Sequence, residues 1–434
     1  MSDLHDLCKF PSRPVNQEYI NNLRYYLSNG IPATYTVEEA YNFTNNIEED
    51  ALTTTTPLHL IATHVPIDCD AQEKEVVDTM VQTLLEYGAG WCLTDINNDT
   101  PGCILLKRDL AKWNIYQLIV DAGVRAELLL RKVGEYDVEF IEEGEVQEVP
   151  ELVNEKVNEE VKESVNEGVS EGTNDTNMKL PTLLKEIDDA PDAPSLNQNA
   201  YLNTPLEYTE DSLITKDRHD GVMMSWETGL MQLGCDSLFE GAKITSDETD
   251  SEVVILNIGF GMGIIDTMIA LKKPTKHYIC EAHPDVLRKL HDDGWYEKPN
   301  VVILEGRWQE QLDTLLSQGN VFFNGIYYDT FSEHYLDMLE LFDYVVGLLK
   351  PHGVFSFFNG LGADREVIYD VYKKLVEIDL GNYGLQCKFT SVYVPASTLH
   401  INQDSNEKSV WDDVKRSYWS CPVYYHPEAR FIDI

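Results

Sequence analysis

Residues 253–265 read V-V-I-L-N-I-G-F-G-M-G-I-I. An apolar run of strand length leads into three alternate glycines, and the chain then opens into an apolar stretch that suits a helix. Glycines at 259, 261 and 263 let the backbone pass close to a ligand at a helix N-terminus, where unpaired N–H groups face it. Further strand-like runs lie at 277–280 (H-Y-I-C), 301–304 (V-V-I-L), 325–329 (G-I-Y-Y-D) and 354–359 (V-F-S-F-F-N), with helix-length segments between them. One of those segments, 332–349, sets Leu336, Leu339, Phe342, Val346 and Leu349 on a helical stripe and closes at Lys350-Pro351-His352-Gly353. Strand and helix in alternation predict an α/β domain: a parallel sheet covered on both faces, with ligands at the carboxyl ends of the strands. Two later β-rich runs, 388–394 and 418–425, predict a terminal antiparallel hairpin.

Upstream, the chain changes character. Residues 56–60 read T-P-L-H-L, 76–89 read V-V-D-T-M-V-Q-T-L-L-E-Y-G-A, and D-I-N-N-D-T-P-G-C (95–103) precedes a second apolar stretch at 115–124. This pattern resembles a pair of ankyrin repeats, in which a turn opens one helix and a second helix ends near a glycine. Gly88 and Gly123 stand where a helix end wants a left-handed residue. Thr56 and Thr100 are further apart than one repeat, and an insertion around Val65–Lys74 accounts for the excess. His59 reads as a hydrogen-bonding residue of the repeat turn. Two repeats bury little on their own, so they are expected to pack on another element, such as a helix over Tyr19–Leu27.

Charge divides the chain further. The 434 residues carry 33 Lys plus Arg and 75 Asp plus Glu, a formal net charge of −42. That balance argues against gripping nucleic acid phosphates or an anionic membrane, and it permits a basic partner. With 43% apolar residues the chain has ample core material. Residues 134–199 hold 4 basic and 19 acidic groups, net −15. Val153, Val157, Val161, Val165 and Val169 recur there every four residues, a period that drifts around a helix and holds no single face. The segment reads as an acidic low-complexity linker, or as an acidic interaction arm. Three regions follow: 1–133 helical and ankyrin-like, 134–199 linker, 200–434 α/β. The beginning of the chain lacks an apolar signal core, no run spans a membrane, and the eight cysteines show no zinc spacing, so a soluble intracellular protein with reduced thiols is expected.

The chemistry is expected beside the glycine turn. A dinucleotide site would place its third glycine at 264, which is Ile264; the spacing found suits S-adenosylmethionine, which has no pyrophosphate to cradle. Glu281 ends the next strand, where a carboxylate accepts hydrogen bonds from ribose hydroxyls. A tight structural turn beside an ordinary glutamate is the plainer alternative. Glu227 lies in G-V-M-M-S-W-E-T (221–228), and Asp329 ends the run G-I-Y-Y-D. Two carboxylates at the strand ends can clamp a planar guanidinium through charge-assisted hydrogen bonds. Taken singly, Asp329 could be a helix N-cap and Glu227 a first-turn helix charge.

In order, V-M-M-S-W-E-T, L-N-I-G-F-G-M-G-I, C-E-A-H, L-E-G-R-W-Q-E, Y-Y-D-T and L-L-K-P-H-G-V resemble the motifs of guanidinoacetate N-methyltransferase over roughly residues 200–425. With ankyrin-like repeats and an acidic linker in front, the chain resembles the fungal type IV protein arginine methyltransferases. That resemblance implies a class I S-adenosylmethionine-dependent methyltransferase with a Rossmann-like sheet. It also implies methyl transfer to the internal δ-nitrogen of an arginine in a large-subunit ribosomal protein, in the cytoplasm and nucleus. By the same resemblance, Phe260, Gly261, Met262, Gly263, Ile264 and Ile265 would wrap the cofactor. Glu281, Ala282 and His283 would hold its ribose and adenine region, and Trp308 and Gln309 would line the adenine pocket. Met223 and Met231 would pack near the sulfonium, and Tyr201, with Tyr208 the weaker candidate, would close the site. Glu227 and Asp329 would grip the guanidinium, with Asp329 also beside the cofactor. Asn257 departs from the acidic residue common at its position. The paired-glutamate loop and T-H-W motif of the common arginine methyltransferases are not evident, which argues against ω-nitrogen dimethylation. No metal is implied. A small-molecule guanidino methyltransferase and a non-enzymatic ankyrin interaction protein are the rival readings.

Overall fold

The sheet takes its order from the alternation just described. A computed structural model describes residues 3–48, 54–135, 194–195, 197–244, 252–399, 409–412 and 414–432. Residues 1–125 and 189–434 form one unit; of the second, 126–188, only the end of one helix is described. The linker reading and its valine series therefore fall outside the described residues, apart from short stretches at either end.

Seven helices come first: α1 (Asp3–Leu7), α2 (Gln17–Ser28), α3 (Val37–Asn45), α4 (Pro57–His64), α5 (Ala71–Glu86), α6 (Pro101–Lys107) and α7 (Asn114–Glu135). Thr56 and Thr100 sit at the N-caps of α4 and α6, each followed by proline at the first helical position. His59 is buried: its Nδ1 accepts from the Thr56 N–H at 3.2 Å, while its Nε2 lies 3.0 Å from the Leu93 carbonyl and 3.2 Å from that of Asp99. It thus ties one turn to the next. The α2 helix packs on α5, as the need for a partner element predicts. Residues 65–74 form the loop after α4 and the first turn of α5. Gly88 does take the left-handed conformation (φ +86°), but Gly123 does not. The α7 helix runs through Gly123, where a Cβ would meet Val371 Cγ2 at 2.6 Å, so that glycine serves close packing.

The remaining elements are α8 (Gln198–Asn203), β1 (Leu206–Tyr208), β2 (Ser212–Thr215), β3 (Gly221–Met224), α9 (Thr228–Ile244), β4 (Val254–Ile258), α10 (Ile264–Leu271), β5 (Lys276–Glu281), α11 (Pro284–Asp292), β6 (Val301–Glu305), α12 (Trp308–Gln318), β7 (Phe323–Tyr328), α13 (Tyr335–Leu348), β8 (Leu349–Phe357), α14 (Glu366–Asn382), β9 (Leu385–Tyr393) and β10 (Val423–Phe431). Strands β1 to β3 form a small antiparallel sheet. The main sheet has the order β6-β5-β4-β7-β8-β10-β9, parallel through β8, with β10 antiparallel to both β8 and β9. The order reverses between β4 and β7, and the crevice outside their carboxyl ends is where such sheets bind ligands.

Two readings need correction. In α13 the buried residues are Tyr335, Met338, Leu341, Phe342, Val345 and Leu348, while Leu336 is 66% exposed. Leu336 shares the outer face of the helix with the exposed Glu340 and Asp343, so the buried stripe is rotated from the expected one. The hairpin's second strand starts at Val423; residues 418–421 instead pack Trp419 and Cys421 into the core against Tyr369. The α6 and α7 helices meet α14: Tyr116 Oη donates to Asp370 Oδ2 at 2.7 Å, and Lys374 pairs with Asp121 at 2.7 Å. All eight cysteines are free, and among the described residues no helix is long and apolar enough to cross a membrane.

Candidate active site

The glycine turn leaves β4 and folds over its end. Gly259 has φ +91°, and a Cβ there would lie 1.8 Å from the Asp329 carbonyl oxygen, so only glycine lets β4 and β7 finish side by side. Gly261 (φ +53°) faces Met223, whose Sδ would be 2.8 Å from an added Cβ. Gly263 (φ +73°) caps α10. The turn floors a cleft of about 600 Å³, measured to its open mouth. The small sheet and α8 form a second wall through Val222, Met223, Gln198 and Tyr201, and Gly306, Arg307 and Trp308 form the far end.

Glu281 is the electrostatic hub of the turn. Its Oε2 accepts from the Phe260 N–H at 2.9 Å, and its Oε1 accepts from the N–H groups of Ala282 and His283 at 2.8 and 2.7 Å. Burial nevertheless pushes its carboxyl above the usual range. At the cleft's other side, Asp329 follows β7 directly. Its Oδ2 is buried without a hydrogen-bond partner, and burial, with Asp266 contributing, pushes its carboxyl up to about 7. It caps no helix, since α13 begins at Tyr335 behind His334. Glu227 is 2% exposed and ends a short 3-10 turn (Ser225–Glu227) just before α9. Its Oε1 accepts from Tyr418 Oη and, at 3.3 Å, from the Met224 N–H. Burial, then the nearby Asp329 charge, drive its carboxyl well above the ordinary range. Burial thus raises the proton affinity of both carboxyls, and the Asp329 charge raises that of Glu227 further.

The structure gathers Tyr201, Met223, Gly261, Glu281, Ala282, Trp308 and Asp329 on the cleft wall. It sets others behind that wall. Met231, Phe260 and Ile265 are core side chains, with Ile264 and Met262 partly buried against them. Phe260 and Met262 approach the turn through backbone N–H groups, and Met262 N–H points at Met223 Sδ at 3.1 Å. Gly263 and Gln309 do not line the cleft, although Gln309 Oε1 is buried without a partner. The His283 ring is consumed internally. Its Nε2 lies 3.1 and 3.0 Å from the carbonyls of Tyr201 and Thr204, and its Nδ1 accepts from the Asp285 N–H. That ring tethers the α8 segment and is not turned to a ligand. Tyr208 Oη donates to the Gly261 carbonyl at 3.0 Å, which makes it a brace of the turn. Asn257 Nδ2 donates to the Gly259 carbonyl and to Asp266 Oδ2, both at 2.8 Å, in the place of an acidic residue.

Three further residues escaped the sequence reading. Glu333 accepts from Trp308 Nε1 (2.8 Å), Thr330 Oγ1 (2.6 Å), Tyr328 Oη and Gln198 Nε2, binding α8 to the cleft floor. Arg307 lines the cleft. Tyr418 reaches Glu227 across 191 residues, within an aromatic group that includes Trp226, Trp411 and Trp419. Only the contiguous Y-W pair of 418–419 offered a local signal for it.

Strand order, glycine turn and the acidic residue ending β5 define the fold of a class I S-adenosylmethionine-dependent methyltransferase. The guanidinoacetate N-methyltransferase family model matches residues 198–380. Protein arginine N-methyltransferase 2 of Debaryomyces hansenii is 64% identical over 436 residues, covering 100% of both chains. Its namesake in Saccharomyces cerevisiae is 47% identical, over 99% of this chain and 100% of that one. The chain belongs to the protein arginine N-methyltransferase 2 family. Among solved structures, the O-methyltransferase TomG from Streptomyces achromogenes, in complex with SAM, aligns at 17% identity and a TM-score of 0.31, covering 49% of this chain and 82% of that one.

S-adenosylmethionine is the cofactor of this class, and the residues present fit it. Gly261 keeps open the space beside Met223 that a Cβ would fill, Glu281 lines the cleft where β5 ends, and Trp308 offers an aromatic wall. Among the described residues no cluster of His, Cys, Asp or Glu could hold a metal ion.

Proposed function

We propose that this chain transfers the methyl group of S-adenosylmethionine to the internal δ-nitrogen of an arginine in a basic protein, a large-subunit ribosomal protein being the substrate class. The observation that carries the reading is the pair at the start of α9 and the ligand end of β7: Glu227, buried and destabilised as an anion by burial and by Asp329, and Asp329, partly buried with its Oδ2 enclosed and without a partner. The cofactor supplies an electrophilic methyl group on a sulfonium. A guanidinium is a poor nucleophile because its charge is delocalised and its pKa exceeds 12, so prior deprotonation is costly. Glu227 and Asp329 offset that problem by gripping the N–H groups, fixing the attacking nitrogen in line and concentrating electron density on it. As the N–C bond forms and the C–S bond breaks, one carboxylate takes the surplus proton, a task to which its raised affinity suits it. Met223 and Trp226 supply apolar surface that excludes water from the transfer.

The δ-nitrogen and the ribosomal substrate are supported by the motif resemblance, by the missing hallmarks of ω-dimethylating enzymes, and by the charge of −42, which favours a basic partner. We read α4 to α7 as ankyrin-type repeats that present a protein-binding surface; the His59 bridge between consecutive turns supports this. The domain limits 1–133, 134–199 and 200–434 and a cytoplasmic and nuclear location belong to the same reading. Incubation of the full chain with labelled S-adenosylmethionine and protein from cells lacking the enzyme tests it. After hydrolysis, mass spectrometry should find δ-methylarginine in a basic protein. Label only in ω-methylarginine, or only in a small guanidino compound, would overturn it.

A further inference from the structure

The side-chain partner of Glu227 comes from a part of the chain that the guanidinoacetate N-methyltransferase match, ending at residue 380, does not reach. Residues 414–421 cross to the start of α9 and deliver Tyr418 to Glu227. The crossing is anchored at both flanks. Trp419, fully buried, donates from Nε1 to the Cys421 carbonyl at 2.6 Å, and Ser420 N–H donates to the Ala363 carbonyl at 2.8 Å. Upstream, Trp411 Nε1 donates to the Thr398 carbonyl at 2.9 Å, and its ring packs edge-on to Tyr418 at 5.0 Å. The Tyr418 ring lies parallel to Trp226 at 6.5 Å, with an interplanar angle of 28°. A phenol set between two indole rings on an anchored backbone cannot swing freely, so its hydroxyl has a fixed address.

That address matters because of what else faces Glu227. The Met224 N–H from its own segment lands on Oε1, the oxygen that Tyr418 also engages. From β7 and the residue after it come Tyr327 and Asp329, and from β10 comes Tyr424. Asp329 is an anion and opposes a charge on Glu227. Tyr327 Oη is buried without a partner and Tyr424 Oη donates to the Phe357 carbonyl at 3.3 Å, so neither is hydrogen-bonded to Glu227. Tyr418 is then the one side-chain donor that the structure gives to the Glu227 carboxylate among the described residues.

We propose that Tyr418 is a positioning residue for methyl transfer: its hydroxyl pins Oε1 of Glu227, favours the ionised carboxylate over the neutral acid, and leaves Oε2 to take the arginine N–H. This rests on Glu227 being the guanidinium carboxylate, as proposed above. A donor to the charged form offsets part of the cost of burying it next to Asp329.

The test is Tyr418→Phe in the full chain, which keeps the ring and its stacking and removes only the hydroxyl. Methyl transfer to an arginine-containing basic protein is measured against pH, with S-adenosylmethionine affinity and melting temperature measured in parallel. Losing a hydrogen bond to a charged group should move the acid limb of the kcat/KM profile upward by about one pH unit. Turnover should fall about tenfold at neutral pH, with cofactor Kd and melting temperature unchanged. An acid limb left in place overturns the proposal, whatever happens to the rate, because a merely structural role would lower activity without moving that limb. A fall in cofactor affinity or melting temperature that accounts for the whole loss overturns it too. Glu227→Gln runs alongside: if that variant keeps wild-type activity, the assignment of Glu227 fails, whereas an inactive Glu227→Gln with an unmoved Tyr418→Phe limb refutes only the role of Tyr418.

Discussion

Replacing Asp329 by Asn should make the protein a poorer enzyme and a more stable fold. In the native chain, burial lifts the Asp329 carboxyl from 3.8 to about 7. At about 1.4 kcal/mol per pH unit, an ionised Asp329 costs the fold roughly 4.5 kcal/mol. The folded value lies above the unfolded one, so that cost is carried in full above pH 7 and disappears as pH falls towards 4. An amide at the same place still costs about 1–3 kcal/mol while it lacks partners. The net gain at pH 8 is then on the order of 1.5–3.5 kcal/mol, a rise of about 2–4 °C in melting temperature for a unit of this size, and it should fade by pH 5. Activity moves the other way. Loss of a charge-assisted hydrogen bond removes about 1.5–3 kcal/mol from the transition state, or roughly 10- to 150-fold in kcat/KM. The assays are thermal melts at pH 8 and pH 5 and initial rates with a basic arginine-containing protein. Full activity in Asp329→Asn, or a loss of stability at pH 8, would refute the reasoning, the second by making Asp329 a structural strut.

Other expectations concern the cofactor turn, the helical region and pH. Glu281→Ala strips the acceptor from three backbone N–H groups and should weaken S-adenosylmethionine binding by about tenfold or more, read by calorimetry. Gly123→Val drives a side chain into Val371 and Trp91 and should cost about 1–3 kcal/mol in a melting experiment, with the cofactor affinity of the folded protein preserved. The native kcat/KM should fall as pH drops through about 7, because Glu227 and Asp329 act as anions whose proton affinities are raised in the fold. A flat profile between pH 6 and 8 would contradict that.

Much of the sheet was legible because its signals are local. The run 253–258, the glycines after it and Glu281 lie within thirty residues, and each reports its own conformation. The same locality explains the failures. Met231, Phe260 and Ile265 read as cofactor contacts, but the direction of a side chain depends on which neighbours cover it, and these three turn into the core. His283 follows Glu281 in sequence, yet the carbonyls of Tyr201 and Thr204 claim its ring from about eighty residues away. Tyr418 and Glu333 were invisible for a related reason: a tyrosine after Arg416-Ser417 or a glutamate after Phe331-Ser332 carries no local mark of the partner it will meet. The misplaced second hairpin strand shows a competing effect, since the aromatic residues 418–419 favour a strand by propensity but gain more from packing beside Glu227 and Tyr369.

The central claim is that Glu227 and Asp329 act on a guanidinium bound next to the cofactor turn. A single-turnover experiment with excess Glu227→Gln enzyme, saturating S-adenosylmethionine and a basic arginine-containing protein tests it most directly. Methyl transfer should be at least about tenfold slower than with the native chain, by loss of a charge-assisted hydrogen bond, while the cofactor Kd stays the same. A native rate of transfer in that variant would contradict the account.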